Sequence, residues 1–196
     1  FFQAGLAGYS DAAMRRIARR HGSPYCVTEA MLDQFLISGG KALAAAKLQD
    51  TDHPIAGQLM GSDPYNMAAA AKILLELGYD VIDINLACPE KKIRKKHRGG
   101  HLMSVPEEAI AILDSVIQAV GEAVPCTVKL RRGSDDTVEA EQTFHTIFEA
   151  AIELGYAGAV VHGRTVEQKY LGPSRWVFLK QLVDRYANQP LRHLPP

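Results

Sequence analysis

Short apolar segments alternate with amphipathic segments along the whole chain. This alternation is typical of repeated βα units built around a parallel sheet. Six units can be counted, and each begins with a segment rich in apolar or β-branched residues. The predicted strands are Phe1 to Ala7, Tyr25 to Met31, Pro54 to Met60, Tyr79 to Ile84, Cys126 to Leu130 and Ala157 to His162.

The amphipathic segments carry recognisable helix starts and stops. Either Ser10 or Asp11 can cap the first helix, and the segment around Gly39 and Gly40 is also predicted to be helical. Asp63 and Pro64 form a favourable helix start, since proline suits the first helical position. The predicted helices end near Arg20, Gly78, Val120, Leu154 and Tyr186, and the last three begin at Pro106, Thr137 and Trp176.

Six βα units suit either an open doubly wound sheet or part of a closed barrel. The barrel is favoured, because the segment Ala4 to Tyr9 lacks the third glycine of a dinucleotide-binding loop. A complete (β/α)8 barrel has eight strands and typically about 250 residues, whereas this chain has 196. We therefore expect an α/β fold in which residues 1–196 form an incomplete (β/α)8 TIM barrel with about six of the eight units.

Composition limits the possible partners and compartment. Lysine plus arginine and aspartate plus glutamate both number 22, so the chain as a whole lacks the charge of a nucleic-acid binder and any polyanion site must be local. The three cysteines are scattered, which favours a reducing compartment, and we predict a cytoplasmic protein. No apolar run approaches the ~20 residues of a membrane span, so no membrane association is expected.

Polar residues follow the predicted strands at their carboxyl ends. Because these ends meet at one rim of a parallel barrel, their side chains should lie close together. Burying them without partners would be costly, and a polar ligand could satisfy them. The residues are Gln58, Asn85, Cys88, Lys129, Arg131, His162 and Arg164.

Cys88 lies just after the fourth strand, before Pro89 and a basic segment. Its thiol could be a nucleophile, a proton donor or an inert buried group, and nearby cations would favour the thiolate. Lys91 to Arg98 contains six lysines or arginines in eight positions, which is typical either of a solvated surface or of a phosphate-binding site. No cysteine or histidine pattern has metal-ligand spacing, so no metal site is expected.

These residues together resemble the tRNA dihydrouridine synthase family of FMN-dependent TIM-barrel flavoenzymes. The resemblance covers nearly the whole chain and is most specific in its last third. Its marks are Asp83-Ile84-Asn85, Cys88-Pro89, Gly99-Gly100, Lys129 with Arg131, and His162 to Thr165 followed by Gln168, Tyr170, Gly172 and Trp176.

The resemblance implies a reaction in which reduced FMN, regenerated by NADPH, passes hydride to C6 of a tRNA uracil. Cys88 would protonate C5 of the same ring. Residues expected to contact FMN are Gly5, Leu6, Ala7, Gln58, Lys129 and His162. Residues expected to contact the tRNA substrate are Asn85, Arg131 and Arg164 near the uracil and Lys91, Lys92 and Arg98 on a basic rim.

The chain also departs from the family pattern. Gly5-Leu6 replaces the usual Pro-Met, and Ala87 replaces the glycine before the cysteine. The last two barrel strands and a C-terminal helical tRNA-binding domain would lie beyond Pro196, so we expect these 196 residues alone to have little activity. We also expect a monomer. Two alternatives stay open: another FMN-dependent barrel acting on a small molecule, and a non-catalytic RNA-binding module.

Overall fold

The computed structural model of the protein describes residues 2–186, which form a parallel sheet covered by helices. The strand bounds are β1 Cys26–Val27, β2 Met31–Leu32, β3 Ile55–Met60, β4 Val81–Asn85, β5 Cys126–Arg131 and β6 Gly158–His162. The strands run in the order β1-β3-β4-β5-β6, and β2 pairs with β3 beyond the end of β1. All of these pairings are parallel.

The helices follow their local capping signals. Of the two predicted caps of the first helix, Asp11 is the one used, since its Oδ1 accepts from the backbone N–H of Met14 at 2.8 Å. Short 3₁₀ turns lie at Asp50–Asp52 and Gly99–Ser104. The helix bounds are α1 Ala12–Arg20, α2 Asp33–Ser38, α3 Gly40–Ala45, α4 Pro64–Glu76, α5 Lys91–Arg94, α6 Pro106–Val120, α7 Val138–Glu153 and α8 Trp176–Tyr186.

The first two predicted strands are shorter than expected. In the first, only Gln3 pairs, through an isolated bridge to Cys26, and Phe1 lies outside the described residues. The chain turns immediately afterwards, because the Ser10 hydroxyl accepts from the N–H of Leu6 at 2.6 Å. The second predicted strand is divided into β1 and β2. The other four strands and the five bounded helices agree with the predictions to within two residues.

Apolar and polar residues alternate along β4 and β5, which gives the sheet an apolar outer face and a polar inner face. Ile82, Ile84 and Val128 are fully buried in the apolar core, to which α4, α6 and α7 also contribute. Asp83 and Asn85 alternate with those residues and point to the concave inner side of the sheet. The sheet is thus one half of a barrel, as predicted for an incomplete (β/α)8 fold. Within residues 2–186, no helix has the length and apolar character to cross a membrane.

Candidate active site

A hydrogen-bonded chain of three buried side chains crosses the inner face of β3 and β4. The sheet register places Gln58 opposite Asp83, and Gln58 Nε2 donates to Asp83 Oδ2 at 2.7 Å. Asn85 Nδ2 donates to Gln58 Oε1 at 2.7 Å. The Asp83 carboxylate can only accept from Gln58, and backbone N–H groups can only donate to Asn85 Oδ1. Both side-chain amides therefore have a fixed orientation.

Asp83 anchors this chain from its other oxygen. The hydroxyl of Thr127 on β5 donates to Asp83 Oδ1 at 2.6 Å. Burial raises the pKa of Asp83, while the hydrogen bonds from Thr127 and Gln58 and the nearby Lys129 ammonium lower it. A buried carboxyl group with two donors is satisfied, so the network can hold one geometry.

The same network fixes the turn that carries Cys88. Asn85 Oδ1 accepts from the backbone N–H groups of Ala87 at 3.0 Å and Cys88 at 3.1 Å. Gly100 donates its N–H to the Cys88 carbonyl at 2.9 Å, and a Cβ on Gly99 would lie only 2.9 Å from the Cβ of Cys88. The glycine pair therefore permits a close approach of the returning chain to the cysteine.

The half-buried Cys88 thiol favours its protonated form. Burial raises the pKa of Cys88 and outweighs the opposing effects of a backbone hydrogen bond at Glu90 and the charge of Arg131. The sequence left open whether nearby cations would produce a thiolate. In the structure five of the six basic side chains of the following segment are exposed, and desolvation is the largest influence on the pKa of Cys88.

Arg131, which was expected to contact the substrate, is held by hydrogen bonds within the protein. Its buried guanidinium donates from Nε to the carbonyl of Ala87 at 2.9 Å. From Nη1 it donates to the carbonyls of Thr165 at 2.8 Å and Lys169 at 2.7 Å. The guanidinium also lies 5.8 Å from the ring centroid of Tyr170. Arg131 therefore joins the cysteine turn to the loop after β6.

His162 ends β6 beside several cations. Its Nδ1 accepts from the backbone N–H of Arg164 at 3.1 Å, which places the imidazole proton on Nε2. Burial lowers the pKa of His162 to about 4, with further contributions from Arg131, Lys129 and Arg164. At neutral pH the ring is thus an uncharged hydrogen-bond donor. Arg164 itself donates from Nε to the carbonyl of Gly172 at 2.8 Å.

A cleft of about 380 Å³ follows the concave face of the sheet. Gly5, Gln58 and Lys129 line it, together with apolar residues nearer the amino ends of the strands. Gly5 is required there, since a Cβ would collide with the carbonyl oxygen of Thr28. Leu6 and Ala7, which were expected to contact the cofactor, are exposed and do not line this cleft.

The basic segment after Cys88 divides into an exposed part and a buried part. The side chains of Lys91 and Lys92 on α5 are exposed, as are the three that follow at positions 94–96. Arg98 is buried, and its Nη2 lies 3.7 Å from Oδ1 of Asp33. The chain turns inward here to bring Gly99 against the cysteine. Arg98 consequently does not belong to the exposed rim, contrary to expectation.

One cluster of potential ligands was missed by sequence reasoning. His97, His101 and Glu108 each offer one ligand atom, and these three atoms lie within 4.8 Å of one another. The spacing of the two histidines by four residues was a possible signal. The two histidines fall outside the predicted strands, where histidines commonly have no ligand role, and the structure adds Glu108 from α6.

These features define a class of protein: a parallel α/β barrel domain whose polar side chains converge at the carboxyl edge of the sheet, where such barrels place their active sites. Solved structures of similar fold include histamine dehydrogenase from Rhizobium sp. 4-9, with a TM-score of 0.63 and 15% identity over 94% of this chain and 38% of that one. A second is 2,3-dimethylmalate lyase, with a TM-score of 0.59 and 13% identity over 97% and 64% of the two chains. At these identities the likeness concerns the fold alone.

The family is specified by sequence. Residues 2–190 match the family described as dihydrouridine synthase (Dus), and the chain belongs to that family. It is 33% identical to a probable tRNA-dihydrouridine synthase of Rickettsia bellii, over 92% of this chain and 55% of the relative. It is also 33% identical to tRNA-dihydrouridine synthase B of Xanthomonas axonopodis pv. citri, over 91% and 53%. The chain thus spans about half the length of these curated relatives.

Proposed function

We propose that the whole protein reduces uridine to 5,6-dihydrouridine in tRNA, with FMN as cofactor and NADPH as reductant. Family membership and the names of the relatives support the reaction class. The observation that carries the proposal is Cys88, whose thiol is half-buried and whose backbone N–H donates to Asn85 Oδ1 at the carboxyl end of β4. Its raised pKa keeps a proton available at that position.

The residues around the inner cleft fit a flavin ring. Gly5, whose missing side chain permits close packing against the Thr28 carbonyl, lines the cleft, and Gln58 and Lys129 supply polar groups there. His162, uncharged and protonated on Nε2, would add a donor from β6. Reduced FMN bound there would supply the hydride, and the protein would need only to bind, orient and protonate.

The proton step is assigned to Cys88. As C6 of uracil accepts hydride, negative charge develops on C5, the S–H bond breaks and the proton moves to C5. The thiolate left behind takes a proton from water. Asn85 would help to hold the uracil through the second N–H of its amide, since the first is donated to Gln58. Arg164, at the mouth of the site, would contact the base or its sugar.

The substrate base must leave its stack to reach the carboxyl edge of the sheet. The exposed amino groups of Lys91 and Lys92 lie on α5, three and four residues after Cys88. They would contact phosphates of the tRNA backbone while the base is bound. We place Arg131 in this proposal as a positioning residue, because three backbone carbonyls already accept from its guanidinium.

The proposal is tested by measuring dihydrouridine in tRNA by mass spectrometry, with full-length protein, FMN and NADPH. We expect Cys88→Ala to lower the rate by about 10²-fold or more, as general-acid removal typically does, and to leave tRNA binding and flavin content unchanged. Cys126→Ala is the matched control, since Cys126 begins β5 at the opposite rim. An unchanged rate in Cys88→Ala would contradict the assigned proton donor. Reduction of orotate or an enone without any tRNA product would instead favour a small-molecule enzyme.

A further inference from the structure

We infer that His97, His101 and Glu108 form a binding site for a transition-metal ion such as Zn²⁺. Their three ligand atoms lie within 4.8 Å of one another. None of the three belongs to the hydrogen-bond network of Asn85 and Cys88. The existence of the site can therefore be tested separately from the proposed reaction.

The fold brings the three ligands together from separate elements. His97 has a φ of +56°, in the left-handed region that residues other than glycine seldom adopt. This turn directs the chain into the 3₁₀ segment that contains His101, and the two imidazole centroids are 4.5 Å apart at 59°. Glu108 lies in the first turn of α6 and supplies a carboxylate from a third direction. Strained backbone conformations of this kind cluster at functional sites in proteins.

The donor set selects the kind of metal. Two imidazoles and one carboxylate are the protein ligands of several zinc sites that keep a fourth position for water. Imidazole also suits copper, nickel and iron, whereas magnesium and calcium prefer oxygen ligands. The charge of Arg94 acts on His101, and the exposed Lys95 and Lys96 directly precede His97, so these cations repel any dication. Hard cations held mainly by charge are thus disfavoured, and an ion that forms strong bonds to imidazole is required.

Only small side-chain movements separate the observed arrangement from coordination. With metal–ligand bonds of about 2.0–2.1 Å, tetrahedral ligand atoms are about 3.4 Å apart. His97 and Glu108 are exposed and His101 is half-exposed, so their side chains can rotate without disturbing the core.

A bound ion would connect the segment after the cysteine to α6. His97 and His101 flank Gly99 and Gly100, which pack directly against Cys88. Fixing both ends of that segment should stabilise the folded state, because the ion binds the folded chain in preference to the unfolded one.

The test uses untagged, full-length protein freed of metal and titrated calorimetrically with Zn²⁺. We expect the double variant His97→Gln/His101→Gln to bind one equivalent fewer than the unaltered protein and to lose a zinc-dependent rise in Tm. His21→Gln, at an exposed histidine after α1, is the matched control and should retain both. Both kinds of variant change surface side chains, and circular dichroism checks that they fold.

Co²⁺ provides a second readout that identifies the ligands. The equivalent lost in the double variant should show d–d absorption without a sulfur-to-cobalt charge-transfer band, since its ligands are nitrogen and oxygen. The inference is overturned if the double variant and the unaltered protein bind the same number of equivalents. It is equally overturned if the lost equivalent shows that charge-transfer band, which would mean a thiolate such as Cys88 binds the ion.

Discussion

The Nε atom of Arg131 donates to the carbonyl oxygen of Ala87 at 2.9 Å, which ties the end of β5 to the turn that holds Cys88. The same guanidinium donates to the carbonyls of Thr165 and Lys169 in the loop after β6. Hydrogen bonds from a charged donor to buried acceptors are among the stronger ones in proteins. One buried side chain thus sets the distance between the thiol and the loop that contains Arg164.

Arg131→Lys should separate this positioning role from a simple need for positive charge. Lysine keeps the charge but presents a single nitrogen, so buried carbonyls lose their donors. We expect the free energy of unfolding to fall by about 1–3 kcal/mol and kcat for dihydrouridine formation to fall more than tRNA affinity. Arg175→Lys is the control, because Arg175 is half-exposed and its carboxylate neighbours are 3.9 Å away. If Arg131→Lys had the kcat and the free energy of unfolding of the unaltered protein, the positioning role of Arg131 would be contradicted.

Thr127→Val should show how much the Thr127 hydroxyl contributes to the stability of the Asp83, Gln58 and Asn85 network. Valine has nearly the shape of threonine but leaves Asp83 Oδ1 without the 2.6 Å hydrogen bond. We expect a loss of about 1–3 kcal/mol in the free energy of unfolding, measured by urea denaturation. Thr127→Ser retains the hydroxyl and should lose less. If the valine variant were as stable as the serine variant, the bond to Asp83 would contribute nothing measurable.

His162 should make stability depend on pH in a defined window. Its pKa is lowered from 6.5 to about 4 in the folded protein, so between these values the unfolded chain binds a proton that the folded chain does not. The free energy of unfolding should therefore decrease as pH falls from 6.5 towards 4. Above pH 6.5 this group should cause no further change of stability with pH. His162→Gln should have a flatter profile in urea denaturation of the flavin-free protein. Identical profiles would show that His162 is not the group responsible.

The exposed lysines of α5 should contribute to RNA affinity without base specificity. Lys91→Ala/Lys92→Ala should weaken tRNA binding and reduce the slope of log affinity against log salt by about 1–2. Filter binding over a range of salt concentrations measures both. Lys72→Ala, at an exposed lysine on α4, is the control and should leave the slope unchanged. A double variant with the unaltered slope would remove these lysines from the RNA surface.

The sequence alone determined the features that depend on local chemistry. The bounds of α6 and α8 follow from Pro106 at a helix start and from periodic apolar residues. The position of Cys88 just beyond a buried strand follows from β-branched residues and a terminating proline. Because parallel strands present their carboxyl ends at one edge, the order of strands and helices along the chain was enough to place Gln58, Asn85 and Lys129 together.

Other features required the tertiary structure, because they depend on what the fold places beside each group. Arg98 and Lys91 belong to one basic run, yet only Arg98 is buried, where it meets Asp33 from α2. The three carbonyl partners of Arg131 lie far from it in sequence, and no pattern indicates them. The sequence left the protonation state of Cys88 open, because nearby cations favour the thiolate and the desolvation that raises its pKa depends on the fold. The sequence determines which chemical groups are present. The fold determines which of them are buried, which partners they contact and in which direction their pKa values shift.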